Sequence, residues 1–209
     1  MLHPRLRLAI TVVIACCAAA IVAVVVASGN SGGGQQVTIQ HGFAGALRPA
    51  GIPPADFTLR DQDGRPAALA AYRGRPVIVT FMYSTCKDTC PLMADQIRGA
   101  LDALGHDVPT LVVSVDPAGD TPLNTKRFLA RHGLTGRARF LLGTRAQLAP
   151  VWRDYGIRPQ TNSDAHSAYV LVIDKRGRQR VAFPASELTP EGLGHDVKVL
   201  QAEQIRSPR

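Results

Sequence analysis

One stretch, residues 75–96, constrains the fold more than any other part of the chain. Residues 77–82 (Val-Ile-Val-Thr-Phe-Met) form a short apolar and largely β-branched run, which is the pattern of a buried strand. Residues 91–104 carry apolar side chains close to one helical stripe, and Pro91 suits the first position of a helix. The sequence therefore predicts a buried strand that leads through one turn into a helix.

Two cysteines, Cys86 and Cys90, occupy that turn. Cys90 precedes a proline, and residues in that position avoid the α region, so we expect Cys90 to lie just outside the helix as its cap. A helix N-terminus stabilises negative charge and lowers the pKa of a thiol placed there. One tight turn can bring the two sulfurs together, which suits a disulfide and equally suits two thiolates on one metal ion. Redox chemistry and metal binding therefore both remain open at this point, and inert structural cysteines are the less favoured interpretation.

Charge and cysteine content exclude two classes of protein. The 209 residues carry a net charge of +8, but the arginines are scattered and aromatic residues make up only 5%. A nucleic-acid-binding surface would interleave a basic stripe with stacking aromatics, so we predict no nucleic-acid partner and a basic surface that faces lipid head groups. Of the pairs Cys16–Cys17 and Cys86–Cys90, only the second lies in the globular part, which excludes a secreted disulfide scaffold.

The N-terminal region has the pattern of a membrane anchor. Residues 8–27 contain no charge and follow Arg5 and Arg7. At ~1.5 Å per residue this run just spans a hydrocarbon core of ~30 Å. It is longer than the apolar part of most cleaved signal peptides, so we predict an uncleaved single-pass anchor in residues 1–28, with a lipoprotein or a cleaved, secreted form as the alternatives. Arg5 and Arg7 place the N-terminus in the cytoplasm, so the globular domain is expected outside it, at the cell membrane, where disulfides persist.

The remaining sequence predicts a flexible tether in residues 29–50 and one domain in residues 51–206. Strands and helices alternate along the domain, with a β-hairpin near its start that turns at Asp63-Gly64. Further strands are expected in residues 109–115, 139–142, 167–174 and 179–183, and further helices in residues 121–132, 145–154 and 189–204. This order predicts an α/β protein with a mixed central sheet flanked by helices, laid out like a thioredoxin-like domain with an N-terminal β-hairpin and an insertion.

A third residue would decide between redox exchange and metal binding, because two thiolates and an imidazole suit Cu(I) or Zn. His166 lies in a polar loop directly before a predicted buried strand, and this topology can bring that loop close to the start of the first helix. Taken alone, a loop histidine is usually a surface residue. The other five histidines precede the anchor, lie in the tether or lie near helix ends: His3, His41, His106, His132 and His195.

The stretch from Thr80 to Pro91, with its Cys-x-x-x-Cys-Pro motif, resembles the SCO/SenC family of membrane-anchored copper chaperones that act in cytochrome c oxidase assembly. Lys87 stands where that family often has proline, and Ala165 where an acidic residue often precedes the histidine. The resemblance covers roughly residues 52–183. Further matches follow in the same order along the chain: Ser114-Val115-Asp116-Pro117, Asp120-Thr121-Pro122, Gly133-Leu134-Thr135-Gly136 and His166-Ser167.

The resemblance implies a thioredoxin-like fold and a copper site formed by Cys86, Cys90 and His166. It implies a metallochaperone rather than an enzyme, one that delivers copper to the dinuclear copper centre of cytochrome c oxidase. Its expected partners are the copper-bearing subunit of the oxidase and another periplasmic copper carrier or a thioredoxin-like reductant. The alternative is a thiol-disulfide oxidoreductase that uses Cys86 and Cys90 as a redox pair to keep the copper-site cysteines of the oxidase reduced, and that chemistry does not require His166.

Overall fold

The computed structural model describes residues 37–50, 52, 55–159 and 168–204. These residues belong to one compact unit that begins at Val37. Within these ranges no helix is long and apolar enough to cross a membrane. The anchor predicted for residues 8–27 lies outside the described residues, as does His166.

The core of the unit is one mixed β-sheet. β4, β5 and β6 run parallel to one another, and every other neighbouring pair is antiparallel. The order across the sheet is β1-β8-β7-β4-β5-β6-β2-β3. The strands are β1 (Ala46–Leu47), β2 (Thr58–Asp61), β3 (Pro66–Ala68), β4 (Val77–Met82), β5 (Thr110–Ser114), β6 (Ala138–Leu142), β7 (Tyr169–Ile173) and β8 (Gln179–Pro184).

Among the described residues, four α-helices and one 3₁₀ turn cover both faces of this sheet. One hydrophobic cluster joins the sheet to α1, α2 and α4, and a second joins it to α3 and the 3₁₀ turn. All six residues of β4 are buried, because a strand in the middle of a sheet covered on both faces has no side in water. The predicted mixed sheet with helices on both faces is thus confirmed. The helices are α1 (Thr89–Leu104), α2 (Pro122–Arg131), α3 (Arg145–Tyr155) and α4 (Pro190–Ala202), and the 3₁₀ turn is Leu69–Tyr72.

Local signals in the sequence locate most of these elements correctly. The hydroxyl of Thr121 accepts a hydrogen bond from the amide of Asn124 at 3.2 Å and caps α2, and Thr189 caps α4 in the same way. Gly156 ends α3 with a φ of 68°, a backbone angle that glycine adopts without steric cost. The predicted N-terminal hairpin is β2–β3, in which Leu59 pairs with Ala67.

Two features differ from the prediction. Residues 46–47, expected within the tether, form β1 and pair with β8. The buried carboxylate of Asp196 on α4 accepts the amides of Ala44 and Gly45 at 2.8 and 2.9 Å, so a distant helix holds this segment in place. A two-residue strand made by such long-range contacts leaves no periodic pattern in the sequence.

The second difference is the start of α1. The helix begins at Thr89, so Cys90 lies in its first turn and not outside it as a cap. Pro91 is tolerated there because the first amides of a helix have no partner within the helix, and a missing N–H costs little at that position. The amide of Cys90 finds its acceptor outside the helix, in the sulfur of Cys86 at 3.4 Å.

Candidate metal centre

The two cysteines lie at the edge of the sheet where the parallel strands β4 and β5 end. Cys86 is in the loop after β4 and is 7% exposed, whereas Cys90 in α1 is 0% exposed. Both are free thiols. The amide of Cys86 donates to the carbonyl of Tyr83 at 3.3 Å and closes the turn, which folds the Cys86 sulfur back over the first turn of α1. The loop and the helix start therefore bring together the two residues that the sequence singled out.

Cys86 is the more acidic of the two thiols. Burial raises the pKa of this thiol, but hydrogen bonds from the amides of Asp88 and Cys90, from the Cys90 thiol and from the Tyr83 hydroxyl outweigh the burial and lower its pKa. Each of these donors stabilises a negative sulfur. The Tyr83 hydroxyl responds in the opposite sense, because its burial and its hydrogen bond to Cys86 raise the pKa of Tyr83 to about 12.

Cys90 shows the reverse behaviour. Burial raises the pKa of the Cys90 thiol, and the neighbouring Cys86 raises it further through its hydrogen bond and its charge. A hydrogen bond from the backbone of Tyr83 lowers it only in part. The first proton should therefore leave from Cys86, and Cys90 should remain protonated until a metal ion or a reaction removes its proton.

This difference predicts unequal reactivity of the two thiols. We expect iodoacetamide to alkylate Cys86 faster than Cys90 in the reduced protein, because the thiolate is the reactive form and the pKa of Cys86 is lowered. The alkylation rate at Cys86 should fall as the pH falls through that lowered pKa. As the pH rises, this rate should reach its maximum at a lower pH than the alkylation rate of free glutathione does. Peptide mass spectrometry of partly labelled protein measures each site. Faster labelling of Cys90 at neutral pH would show that the assignment is reversed.

A buried carboxylate supports the loop that carries Cys86. Asp120, which follows β5, is 6% exposed and accepts the amide of Ser84 at 2.6 Å and the hydroxyl of Ser114 at 2.5 Å. Trp152 on α3 also holds the end of β5, because its indole N–H donates to the carbonyl of Ser114 at 2.9 Å. Burial raises the pKa of Asp120, and the hydrogen bonds from Ser114 and Ser84 act in the other direction. Through these hydrogen bonds Asp120 links the end of β5 to the loop that carries Cys86.

Removal of this acceptor should destabilise the fold. We expect Asp120→Ala to lower the free energy of unfolding by about 2–6 kcal/mol, because two buried donors then lack an acceptor at about 1–3 kcal/mol each. Asp120→Asn is the matched control, since its amide oxygen still accepts the Ser84 hydrogen bond, and it should cost less than half as much. Urea unfolding followed by circular dichroism measures both changes.

The same variants test the protonation of Asp120. A raised pKa in the folded state means that protonation of Asp120 favours folding, and this protonation-linked stability is fully present below the unfolded pKa and is lost as pH rises through the folded pKa. The part of the pH dependence that belongs to Asp120 should be absent in Asp120→Asn. Equal losses of stability in the alanine and asparagine variants would contradict the role of Asp120 as a hydrogen-bond acceptor.

Sequence reasoning did not identify the roles of Tyr83 and Asp120. Both residues lie in motifs that carry the resemblance, but the sequence assigns neither of them a role at the cysteine site. Their positions in the sequence could have indicated these roles. Tyr83 directly follows one predicted buried strand and Asp120 closely follows the next, and the ends of adjacent parallel strands meet at one edge of a sheet. Such a position is typical of residues that line a site in α/β proteins.

The histidines that the structure describes do not join the cysteines. His106 contacts Gln201 at 3.0 Å, His132 at the end of α2 contacts Asp95 at 3.0 Å, and His195 contacts Asp196 at 2.8 Å. Within residues 37–50, 52, 55–159 and 168–204, no group of three or more His, Cys, Asp or Glu side chains could hold a metal ion. The third predicted ligand, His166, lies outside those ranges, so the three-residue copper site stays a prediction.

The chain matches known proteins along most of its described length. A family model described as SCO1/SenC matches residues 48–201. The SCO2 homolog of Bos taurus mitochondria is 29% identical over 168 residues, which are 77% of this chain and 59% of that protein. Protein SenC of Rhodobacter capsulatus is 39% identical over 69 residues, which are 32% of this chain and 31% of that protein. The chain thus spans about three fifths of the bovine relative and about a third of the bacterial one.

Solved structures show the same fold. ScoI of Bradyrhizobium japonicum with copper bound has a TM-score of 0.60 and 30% identity, covering 69% of this chain and 97% of that one. Apo Sco1 of Thermus thermophilus has a TM-score of 0.64 and 22% identity, covering 80% of this chain and 99% of that one. The sheet and the helices are therefore those of the thioredoxin-like Sco fold, and this chain belongs to the SCO1/SenC family.

Proposed function

We propose that this protein is a copper-binding chaperone that delivers copper to the dinuclear copper centre of a cytochrome c oxidase during its assembly. The observation that carries this proposal is the convergence of Cys86 and Cys90 at one edge of the sheet, with hydrogen-bond donors that stabilise negative sulfur. Soft thiolates prefer Cu(I), and the copper-bound relative from Bradyrhizobium japonicum has the same fold.

We further propose His166 as the third copper ligand. Support comes from the described residue that lies closest to it in sequence, Ala168. β7 is antiparallel to β4, with Val170 opposite Thr80, so the register continued by two residues brings Ala168 to the level of Met82, where the cysteine loop begins. Ala168 also packs against the hydrophobic cluster that contains both cysteines. The chain therefore enters β7 at the edge of the sheet where the two thiols lie.

Three residues of this chain would each have a different role in binding and releasing copper. Cys86, in a loop and slightly exposed, would form the first bond to an incoming Cu(I) ion, because it is the readier thiolate. Cys90 would lose its proton on binding the same ion, and the imidazole of His166 would complete a three-coordinate site. Fewer than four ligands leave room for a ligand of the partner protein, which transfer requires.

Copper titration and transfer test this function directly. The reduced full-length chain in detergent, kept anaerobic, should bind one Cu(I) ion per chain and pass it to the purified copper-bearing domain of the oxidase from the same organism. A chain that loses Cu(I) completely to a weak competing chelator would refute the chaperone function. Tight binding without transfer would point to a different acceptor.

The unequal thiols favour a second candidate function, a thiol-disulfide oxidoreductase acting on the cysteines of the oxidase copper site. The Cys86 thiolate would attack a substrate disulfide and form a mixed disulfide, releasing one substrate thiolate. Cys90 would then attack Cys86, releasing the second substrate thiolate and leaving a Cys86–Cys90 disulfide. Two electrons pass to the substrate, which leaves as a dithiol. Equilibration in a glutathione redox buffer, followed by alkylation and mass measurement, should reveal this disulfide, and two freely alkylated thiols in oxidising buffer would count against it.

We propose that residues 8–27 anchor the protein in the cell membrane and that the domain lies outside the cytoplasm. An uncharged run of this length behind Arg5 and Arg7 supports this topology. A reporter enzyme that is active only in the cytoplasm, fused after Arg209, should be silent, while a reporter active only outside should work. A cytoplasm-active fusion would overturn the topology, and release of the fusion into the medium would favour a cleaved form.

A further inference from the structure

Tyr83 makes three hydrogen bonds to the two cysteines. Its hydroxyl bonds the sulfur of Cys86, its backbone amide bonds the sulfur of Cys90, and its carbonyl accepts the amide of Cys86 at 3.3 Å. Its half-buried ring packs against the hydrophobic clusters on both faces of the sheet. The hydroxyl is therefore held at the sulfur by a ring that has little freedom to move.

The two sulfurs receive different kinds of donor from Tyr83. Cys90 receives a backbone amide, which every residue at position 83 other than proline would supply. Cys86 receives a side-chain hydroxyl, which phenylalanine in the same place would lack. A substitution at position 83 can thus change the environment of the Cys86 sulfur and leave that of the Cys90 sulfur nearly unchanged.

We propose that Tyr83 is a positioning residue of the copper site, whose hydroxyl orients the Cys86 sulfur and makes the two cysteines unequal copper ligands. The inference depends on the proposed function, in that it takes Cys86 to be a copper ligand. A hydrogen bond to a ligating sulfur withdraws electron density from it and weakens its donation to the metal. Weaker donation favours Cu(I) relative to Cu(II), because the more highly charged ion depends more on donation from its ligands. Tyr83 would therefore bias the site towards the copper oxidation state that thiolates hold best.

The variant Tyr83→Phe tests this inference because it removes only the hydroxyl and keeps the ring and all backbone bonds. In the full-length protein the sulfur-to-copper(II) charge-transfer band should move to longer wavelength, since the sulfur orbitals rise in energy when the hydrogen bond is lost. The ratio of Cu(I) affinity to Cu(II) affinity should fall about tenfold, the lower end of the range seen when a group that supports a metal ligand is replaced. Competition with chelators of known affinity for each ion measures the ratio.

Tyr72→Phe is the matched control, because the Tyr72 hydroxyl bonds Arg139 at 3.1 Å and has no contact with the cysteines. Its copper spectrum and affinity ratio should equal those of the wild type. If Tyr83→Phe also behaves as the wild type in both measurements, Tyr83 serves only as a packing residue and the inference is wrong. If the wild-type protein itself shows no sulfur-to-copper band, the proposed copper site fails, and this inference fails with it.

Discussion

Cys90→Ser should abolish tight copper(I) binding. Cu(I) bonds soft sulfur, whereas a serine hydroxyl is a hard donor that stays protonated at neutral pH. Replacing a group that merely supports a metal ligand costs about 10–100-fold in affinity, so the loss of one of two thiolates should cost at least about a hundredfold. Cys86→Ser should have an effect of the same size. Anaerobic competition with a Cu(I) chelator measures the affinity.

Two controls separate loss of a ligand from loss of the fold. Cys90 is 0% exposed, so circular dichroism and a melting curve must show that Cys90→Ser still folds. Cys16→Ser and Cys17→Ser make the same chemical change outside the domain and should leave copper binding unaltered. Copper affinity of the wild type should also weaken as pH falls, because protons compete for the sulfurs. A Cys90→Ser protein that folds and still binds Cu(I) as tightly as the wild type would remove Cys90 from the site.

His166→Ala should reduce copper affinity by about tenfold and alter the copper(II) spectrum without unfolding the domain. The loss should be smaller than for either cysteine, because water or an added ligand can partly replace an imidazole, whereas nothing in the buffer replaces a thiolate. Free imidazole added to His166→Ala should restore part of the wild-type spectrum. Visible absorption and electron paramagnetic resonance of the copper(II) form provide the measurement.

His106→Ala is the control for this experiment. His106 is an exposed histidine that contacts Gln201 near the end of α4, and its loss should change neither affinity nor spectrum. Should His166→Ala bind copper with wild-type affinity and spectrum, His166 would be an ordinary loop residue. The thiol-disulfide oxidoreductase function, which needs only Cys86 and Cys90, would then be the better account of the site.

The sequence alone was sufficient for the features that depend on neighbouring residues. Each of these features is indicated by a few neighbouring residues. They are the six-residue apolar run of β4, the proline and apolar stripe of α1, and the threonine caps of α2 and α4. The two cysteines, four positions apart, needed only the turn between β4 and α1 to meet. Periodicity, capping and turn chemistry are short-range effects, so they can be read before the fold is known.

Only the tertiary structure decided what surrounds the cysteines. Asp120 reaches the Ser84 amide across 36 positions of sequence, and Asp196 holds the segment before β1 across about 150. The order of strands in the sheet creates both contacts, and no local pattern specifies that order. The inequality of Cys86 and Cys90 has the same origin, because it depends on burial and on the donors that Tyr83 and the first turn of α1 bring to each sulfur. Burial and hydrogen bonding are properties of the assembled domain, whereas the identity and spacing of the thiols are properties of the chain.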